Sequence, residues 1–308
     1  MKKISLFITL ISFAITQAQI VNIPDANFKN SLLSANTNVF IAKDSNGNNI
    51  KVDLNSDNEI QESEALNVYQ LFVGWDNISD LTGIEYFTNI TFLNVRDNNL
   101  TTLDLSNNIY LEELRCADNY ILSLNLINNI NLEAIYCNDN SLVTIDVSQS
   151  INLRVLLCAN NSLSTLNISN NLLLISINCS HNLLTSIDVS NHLNLDFLHC
   201  TDNLLTSLYF NPNLSRLYFE NNLLTSINVS NQNNLTGLGC GNNPLTSLDI
   251  SNNSSLIFLD IENLSFTIDY SHLVHLENLN CAHRALTNLE VANFANLKTL
   301  ICNNLSST

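Results

Sequence analysis

A near-constant spacing of apolar residues sets the terms on which this chain can fold. Val68, Ile90, Leu111, Leu132, Leu153, Leu174, Leu195, Leu214, Leu235, Leu256, Leu276 and Leu297 open similar segments. Counted from those numbers, successive gaps are 22, then five of 21, then 19, 21, 21, 20 and 21 residues. Such a period marks a stack of like units, each burying its apolar side only against its neighbours. The unit from Leu111 places apolar residues at Leu111, Leu114, Cys116, Ile121 and Leu124, with Asn119 among them. Hydrophobic residues make up 45% of the chain and charged ones only 13%, so a core is available and disorder is not expected.

The pattern Leu-x-x-Leu-x-Cys-x-x-Asn-x-Ile beginning at Leu111 resembles the leucine-rich repeat, and it runs from Val68 onward. It is most similar to repeats of secreted bacterial surface proteins, whose second half again reads Leu-x-x-Leu-Asp-Leu-Ser-x-Asn, as in the stretch from Leu100 to Asn108. The resemblance implies a β-dominated solenoid over residues 68–308: about twelve coils of ~21 residues, with two short strands per coil on opposite flanks. Ile78, Leu81, Ile84, Phe87 and Ile90 recur every three residues, which suits a 3₁₀-like back and resembles the internalin type. Residues 19–67 fall outside the register and read as a small mixed α/β amino-terminal cap. There, Phe28, Leu32 and Leu33 follow Pro24-Asp25 at helical spacing, and residues 43–48 read as a turn.

Two columns of the repeat have structural explanations. Asn98, Asn119, Asn140, Asn161, Asn182, Asn203, Asn222 and Asn243 recur where the chain turns inward and strands backbone groups, which a side-chain amide can satisfy. Cys116, Cys137, Cys158, Cys179, Cys200, Cys240, Cys281 and Cys302 share the sixth position with Val73, Val95, Phe219 and Ile261, so the slot is a packing slot. Side chains stacked ~4.8 Å apart and pointing the same way are poorly placed for a disulfide. Free thiols are therefore expected, and zinc is not, because no Cys-x-x-Cys occurs. Two missing residues near Asn211-Pro212-Asn213 and a slipped register at Phe266, Ile268 and Tyr270 should bend the coil locally. The ending at Ser306-Ser307-Thr308, without a cap-like segment, reads as a truncated product or fragment.

Residues 1–18 have the form of a signal peptide: Lys2 and Lys3, an apolar run from Ile4 to Ile15, and Thr16-Gln17-Ala18 before Gln19. The run is too short to span a bilayer, which takes ~20 apolar residues, so a secreted, extracellular or cell-surface location is expected without membrane insertion. The net charge of −17 becomes −17 − 2 = −19 without Lys2 and Lys3, and its field disfavours nucleic acid and anionic membrane.

In the cap, residues 53–64 resemble an EF-hand calcium loop. Asp53, Asn55 and Asp57 stand at positions 1, 3 and 5, Glu59 offers a backbone carbonyl, and Glu64 a bidentate carboxylate. Asn58 departs from the usual glycine but tolerates a left-handed backbone. A structural calcium clip is the expectation; the alternative is an acidic helix-capping turn.

Positions 3 and 5 of each first strand should face outward and vary in type. Phe92, Arg115, Tyr136, Leu157, Phe197, His199, Arg216, Tyr218 and Phe258 are the candidate ligand-binding residues, since aromatics and arginine concentrate at interface hot spots. Drift on a solvated sheet is the plainer alternative. A second column, Asp104, Asn125, Asp146, Asn167, Asp188, Tyr209, Asn228 and Asp249, reads as solvated. His272 and His275 beside Asp269 read as bystanders, and no hydrolase or zinc-protease motif occurs, so an enzyme is not expected. Two functions remain: a binding or adhesion module with a protein or glycan partner, or a passive matrix component that assembles with itself.

Overall fold

The computed structural model describes residues 19–283 and 292–303; the signal-like segment and the Ser306-Ser307-Thr308 ending lie outside them. A thirteen-stranded sheet runs the length of a leucine-rich-repeat β-solenoid. Ala42–Lys43 of the cap pairs antiparallel with Gln70–Phe72, and the remaining strands follow in parallel, one per coil, to Thr299–Ile301. Subtracting the cap strand leaves 13 − 1 = 12 rungs, the number of repeat starts in the sequence. Each strand spans positions 3 to 5 of its repeat, as Phe92–Asn94 does, and its middle residue enters the core while its flanks face outward; in the last strand, Thr299–Ile301, all three residues are exposed.

Two inward corners hold the coils together. At the first, the expected asparagines are buried, or half-buried at Asn140 and Asn161, and bond the backbone of their own and the preceding coil. Asn182 Nδ2 donates to the carbonyls of Cys158, Cys179 and Ser180 at 3.0, 3.2 and 3.1 Å, and its Oδ1 accepts from Leu163 N at 2.9 Å. Each such bond relieves a buried group that would otherwise cost ~1–3 kcal/mol. The ladder begins at Asp76, not at an asparagine. Having no preceding coil to donate to, Asp76 instead accepts from Ser31 Oγ of the cap helix at 2.6 Å, while its backbone N–H donates to Asn98 Oδ1.

The second corner was not foreseen as a column. Asn108, Asn129, Ser150, Asn171, His192, Asn211, Gln232 and Asn253 are all buried at the start of the turn into the next coil. Asn129 Nδ2 bonds the carbonyls of Leu105 and Asn108, Ser150 Oγ that of Asn129, and His192 Nε2 that of Ile168. The slot requires a donor. Because Ile168 O only accepts, His192 must carry its proton on Nε2. In the following coil the apolar Leu273 takes the column position, and its neighbour His272 supplies the donor, bonding Ile250 O at 3.1 Å.

The second flank corrects the expectation of two strands in every coil. Among the described residues, strands occur there at Leu103–Asp104, Leu124–Asn125, Ile145–Asp146, Ser186–Val189 and Ser207–Phe210, in sheets of three and two. The two-residue deletion sits where the second of these sheets ends. It does not disturb the long sheet, because Phe197–His199 still pairs in register with Arg216–Tyr218. The slipped register farther on is absorbed similarly: Ile268 and Tyr270 remain buried and Phe258–Asp260 pairs with Asn278–Asn280.

In the cap, the helix α1 (Ala26–Ser34) starts at Asp25, whose Oδ1 accepts from Asn27 N and Phe28 N. Its other oxygen reaches the first coil, accepting from Ser79 N, Ser79 Oγ and Asp80 N. Burial opposes ionisation of Asp25, but these bonds win and hold its carboxyl below the usual range. Phe28 and Leu32 are fully buried, with the Phe28 ring 6.4 Å from that of Phe87. A 3₁₀ turn at Ile84–Tyr86 forms the back of the first coil, as its spacing requires.

All eight cysteines are thiols outside any disulfide, and burial pushes the Cys116 and Cys158 thiols up to about 12. Only Cys302 is half-exposed. In the native protein, a thiol reagent at ~pH 8 should therefore titrate rapidly no more than Cys302, since raised thiols stay protonated and covered. After denaturation all eight should react; recovery of fewer than eight would mean that disulfides form.

Candidate binding face

The pairing register brings all nine candidate residues to one side of the long sheet. Phe92, Phe197, Arg216 and Phe258 belong to one outward row, and Arg115, Tyr136, Leu157, His199 and Tyr218 to the other. They form two groups. In the first, the Arg115 guanidinium lies 5.4 Å from the Phe92 ring centroid and 5.1 Å from that of Tyr136, and Nε donates to Glu113 at 2.6 Å. Phe72 stacks 4.6 Å from Phe92 and 4.0 Å from Phe40, so the cap extends this group. In the second, Phe197, His199 and Tyr218 meet edge to face at 5.7–6.0 Å, and Arg216 sits 4.8 Å over Phe197. Leu157 belongs to neither group. Between them lie its own rung and that of Ser176 and Asn178.

Tyr218 also reaches Phe258, two rungs away, with ring centroids 5.6 Å apart. This is possible because the intervening coil carries Gly237, Gly239 and Gly241. A Cβ on Gly237 would overlap the Tyr218 hydroxyl, one on Gly239 the Glu220 carboxylate, and one on Gly241 would lie 2.7 Å from an Asp260 oxygen. Sequence reasoning missed the consequence: neighbouring side chains lie flat across this coil, joining aromatics and acids into one surface. Three glycines at alternate positions, in a chain with only six, were the available signal.

The covered carboxyls are strained electrostatically. Burial, followed by the charges of Asp260 and Asp202, pushes the Glu220 carboxyl up to about 7, and burial also raises Asp260. Burial and the nearby His181 lower His199, favouring its neutral form. The second group therefore presents aromatic rings, a largely uncharged imidazole and a partly protonated acid, with Arg216 at its rim.

The calcium-type loop is closed by hydrogen bonds in this structure. Asp53 accepts from Ser56 N, Asp57 N and Asn58 N, and Glu64 from Leu54 N, Asn55 N and Gln61 N. Gln61 and Glu64 form a capping box for the short helix Glu62–Ala65. Asn55 and Gln61 both bond the Asp57 carboxylate, and the Glu59 side chain turns away to Lys29 at 2.6 Å. Ser56 and Asn58 take the left-handed backbone the tight loop needs, at φ 63° and 65°. Among the described residues, no three acidic, histidine or cysteine side chains are gathered as a metal cluster.

On the opposite flank, Asp146 and Asp249 accept from the backbone of the serine two residues later, and Asp188 from the hydroxyl and then the backbone of Ser190, which lowers their carboxyls. This column makes turns. His272 and Asp269 likewise serve the backbone, bonding Ile250 O and Ser271.

Neither a family model nor a curated protein matches the sequence. Solved structures do. The functional domain of InlJ from Listeria monocytogenes, described as including a cysteine ladder, superimposes with a TM-score of 0.81 at 28% identity, covering 94% of this chain and 63% of that one. An internalin, InlF, from the same species gives 0.72 at 20% identity, covering 94% and 93%. The leucine-rich-repeat protein LIC12759 of Leptospira interrogans gives 0.70 at 21%, covering 79% and 68%. Its structural neighbours thus include bacterial internalin-type leucine-rich-repeat proteins. Among the described residues, no helix is long and apolar enough to cross a membrane.

Glu220 supplies a pH test. Asp260, Asp202, Cys200 and Tyr218 surround it, and its raised carboxyl means that stability is fully present below the unfolded value and is lost as pH rises through about 7. Glu220→Gln should raise the melting temperature over wild type at ~pH 8 by more than it does at ~pH 5. Equal shifts at both values would show that the acid is not held protonated.

Proposed function

We propose that this solenoid is an exported, non-catalytic binding or adhesion module that holds a protein or glycan partner on its outward strand residues. The observation that carries the reading is the contrast between columns. Inward positions keep to apolar side chains and buried hydrogen-bond donors, whereas the outward rows carry two packed groups of aromatics and arginine, the kinds of side chain that anchor interfaces. Packing against one another holds these anchors in place, which reduces the ordering cost of binding. The internalin-type neighbours support a protein-binding role, and residues 1–18 support export. Capture from host or biofilm extracts should yield one saturable partner. Phe197→Ala, Tyr136→Ala or Tyr218→Ala should each weaken it about tenfold or more, as for hot-spot truncation. Retained capture in all three would sink the assignment, and concentration-dependent self-assembly without a partner would favour the matrix alternative.

We also propose that Asp53, Asn55, Asp57, Glu64 and the Glu59 carbonyl hold calcium as a structural clip. The oxygen donor set and the left-handed Asn58 support it, as does Ile60, fully buried beside the loop. Bound calcium would offset the mutual repulsion of the carboxylates and so stabilise the cap. At ~10 times its dissociation constant it should add about 1.4 kcal/mol, or roughly 2–4 °C in melting temperature for a chain of this size. Glu64→Gln should abolish the calcium-induced shift and Asp104→Asn should preserve it. Superimposable melts with chelator and with millimolar calcium would reduce the loop to a capping turn.

A further inference from the structure

One surface lies off the strand face and is used by nothing above. Where the strands turn into the first corner, each coil places one residue in the left-handed region. The column opens with Trp75, Asp97, Asp118, Asp139, Asn160 and His181 and continues to His283, with φ from 51° to 63°. Asp, Asn and His tolerate that backbone; a bulky indole does so poorly. Trp75 is nevertheless the chain's only tryptophan, and it is 63% exposed. With Asn77, Asn99, Asp97, Asp118, Asp139 and the 60%-exposed Tyr120, it lines a shallow cleft of about 500 Å³.

The cleft already holds one cation of the chain's own. The Arg96 guanidinium lies 5.4 Å from the Trp75 ring centroid, and its Nε lies 2.8 Å from Asp97 and 3.1 Å from Asp118. One coil on, the carboxylate pair is repeated by Asp118 and Asp139, but the residue in register with Arg96 is Ala117. Asp139 is held by Asn138 and Asn160 at 2.7 and 2.8 Å, neutral donors that position it without cancelling its charge. Asp97 and Asp118 thus share one guanidinium, and Asp139 adds a third carboxylate to a cleft lined by two exposed aromatic rings.

We propose that this cleft binds an arginine or lysine side chain of a basic polypeptide segment, seated between Asp118 and Asp139 near Tyr120. The partner's cation takes there the place that Arg96 takes in the preceding coil. Charge complementarity favours this occupant: the cleft is net acidic within a chain of net charge −17. Aromatic faces beside carboxylates suit a guanidinium or ammonium group. This site is independent of the strand-face reading.

Trp75, as sole tryptophan, is its own reporter. Wild-type protein is titrated with a synthetic arginine-glycine peptide, its lysine and glutamine counterparts, and a neutral oligosaccharide, while indole emission is followed. The expected result is a saturable change with the arginine or lysine peptide that weakens as salt is added. Asp118→Asn and Tyr120→Ala should each weaken it about tenfold. Ala117→Arg, which fills the place in cis, should abolish it, whereas Asp104→Asn on the far flank should bind as wild type. The proposal is overturned if neither basic peptide changes the emission, or if the glutamine peptide or the oligosaccharide does so equally well. It also fails if Asp104→Asn loses as much as Asp118→Asn, which would mark bulk attraction by an acidic chain. Thermal melts check each variant, and if Ala117→Arg is unfolded, Asp118→Asn and Tyr120→Ala decide.

Discussion

Every coil must turn two corners inside the protein, and at each the backbone gives up hydrogen bonds that water cannot restore. The rest of the structure depends on how those groups are satisfied. At the first corner an asparagine uses both halves of its amide, so a single side chain binds its own coil and the one before it. At the second only a donor is required, and asparagine, serine, histidine and glutamine all serve. With the corners fixed, strand spacing and register follow, and outward side chains are free of any structural duty. Variation on the strand face is therefore permitted by the corners.

That division explains what could be read in the sequence and what could not. A slot satisfied by one residue type leaves a visible column, so the asparagine and cysteine rows, the coil number and the inward and outward positions were legible. The second corner was hidden because its requirement is for a function, hydrogen-bond donation, that Asn129, Ser150 and His192 share without resembling one another. The symmetry of the repeat also misled: two similar halves suggested two strands, yet the far flank is regular in only some coils. Pro212 and the two missing residues fall where that flank's second sheet ends, and the long sheet is undisturbed.

The candidate face shows a further limit of reading residues singly. Phe197, His199, Tyr218 and Phe258 were identifiable as outward aromatics, but the reach of Tyr218 to Phe258 depends on the absent side chain of Gly237. A glycine in a strand is ordinarily a weakness; here it makes room for the neighbouring coil's larger groups. The same gap draws Glu220 into cover and moves its protonation toward neutral pH, so the chemistry of the face is set by residues that contribute no side-chain atoms to it.

Asp76 bears on how copies of the protein can meet. A solenoid of like coils invites end-to-end polymerisation, since each terminal coil offers the surface on which another could stack. At the amino end the invitation is withdrawn twice. The strand Ala42–Lys43 runs antiparallel along the first rung and occupies the edge a parallel newcomer would need, while Asp76, an acceptor in a column of donors, is engaged by Ser31 and has no hydrogen to offer a further coil. Filament growth through that face is closed by the same atoms that close the fold, which leaves lateral association as the geometry open to any assembly involving the capped end.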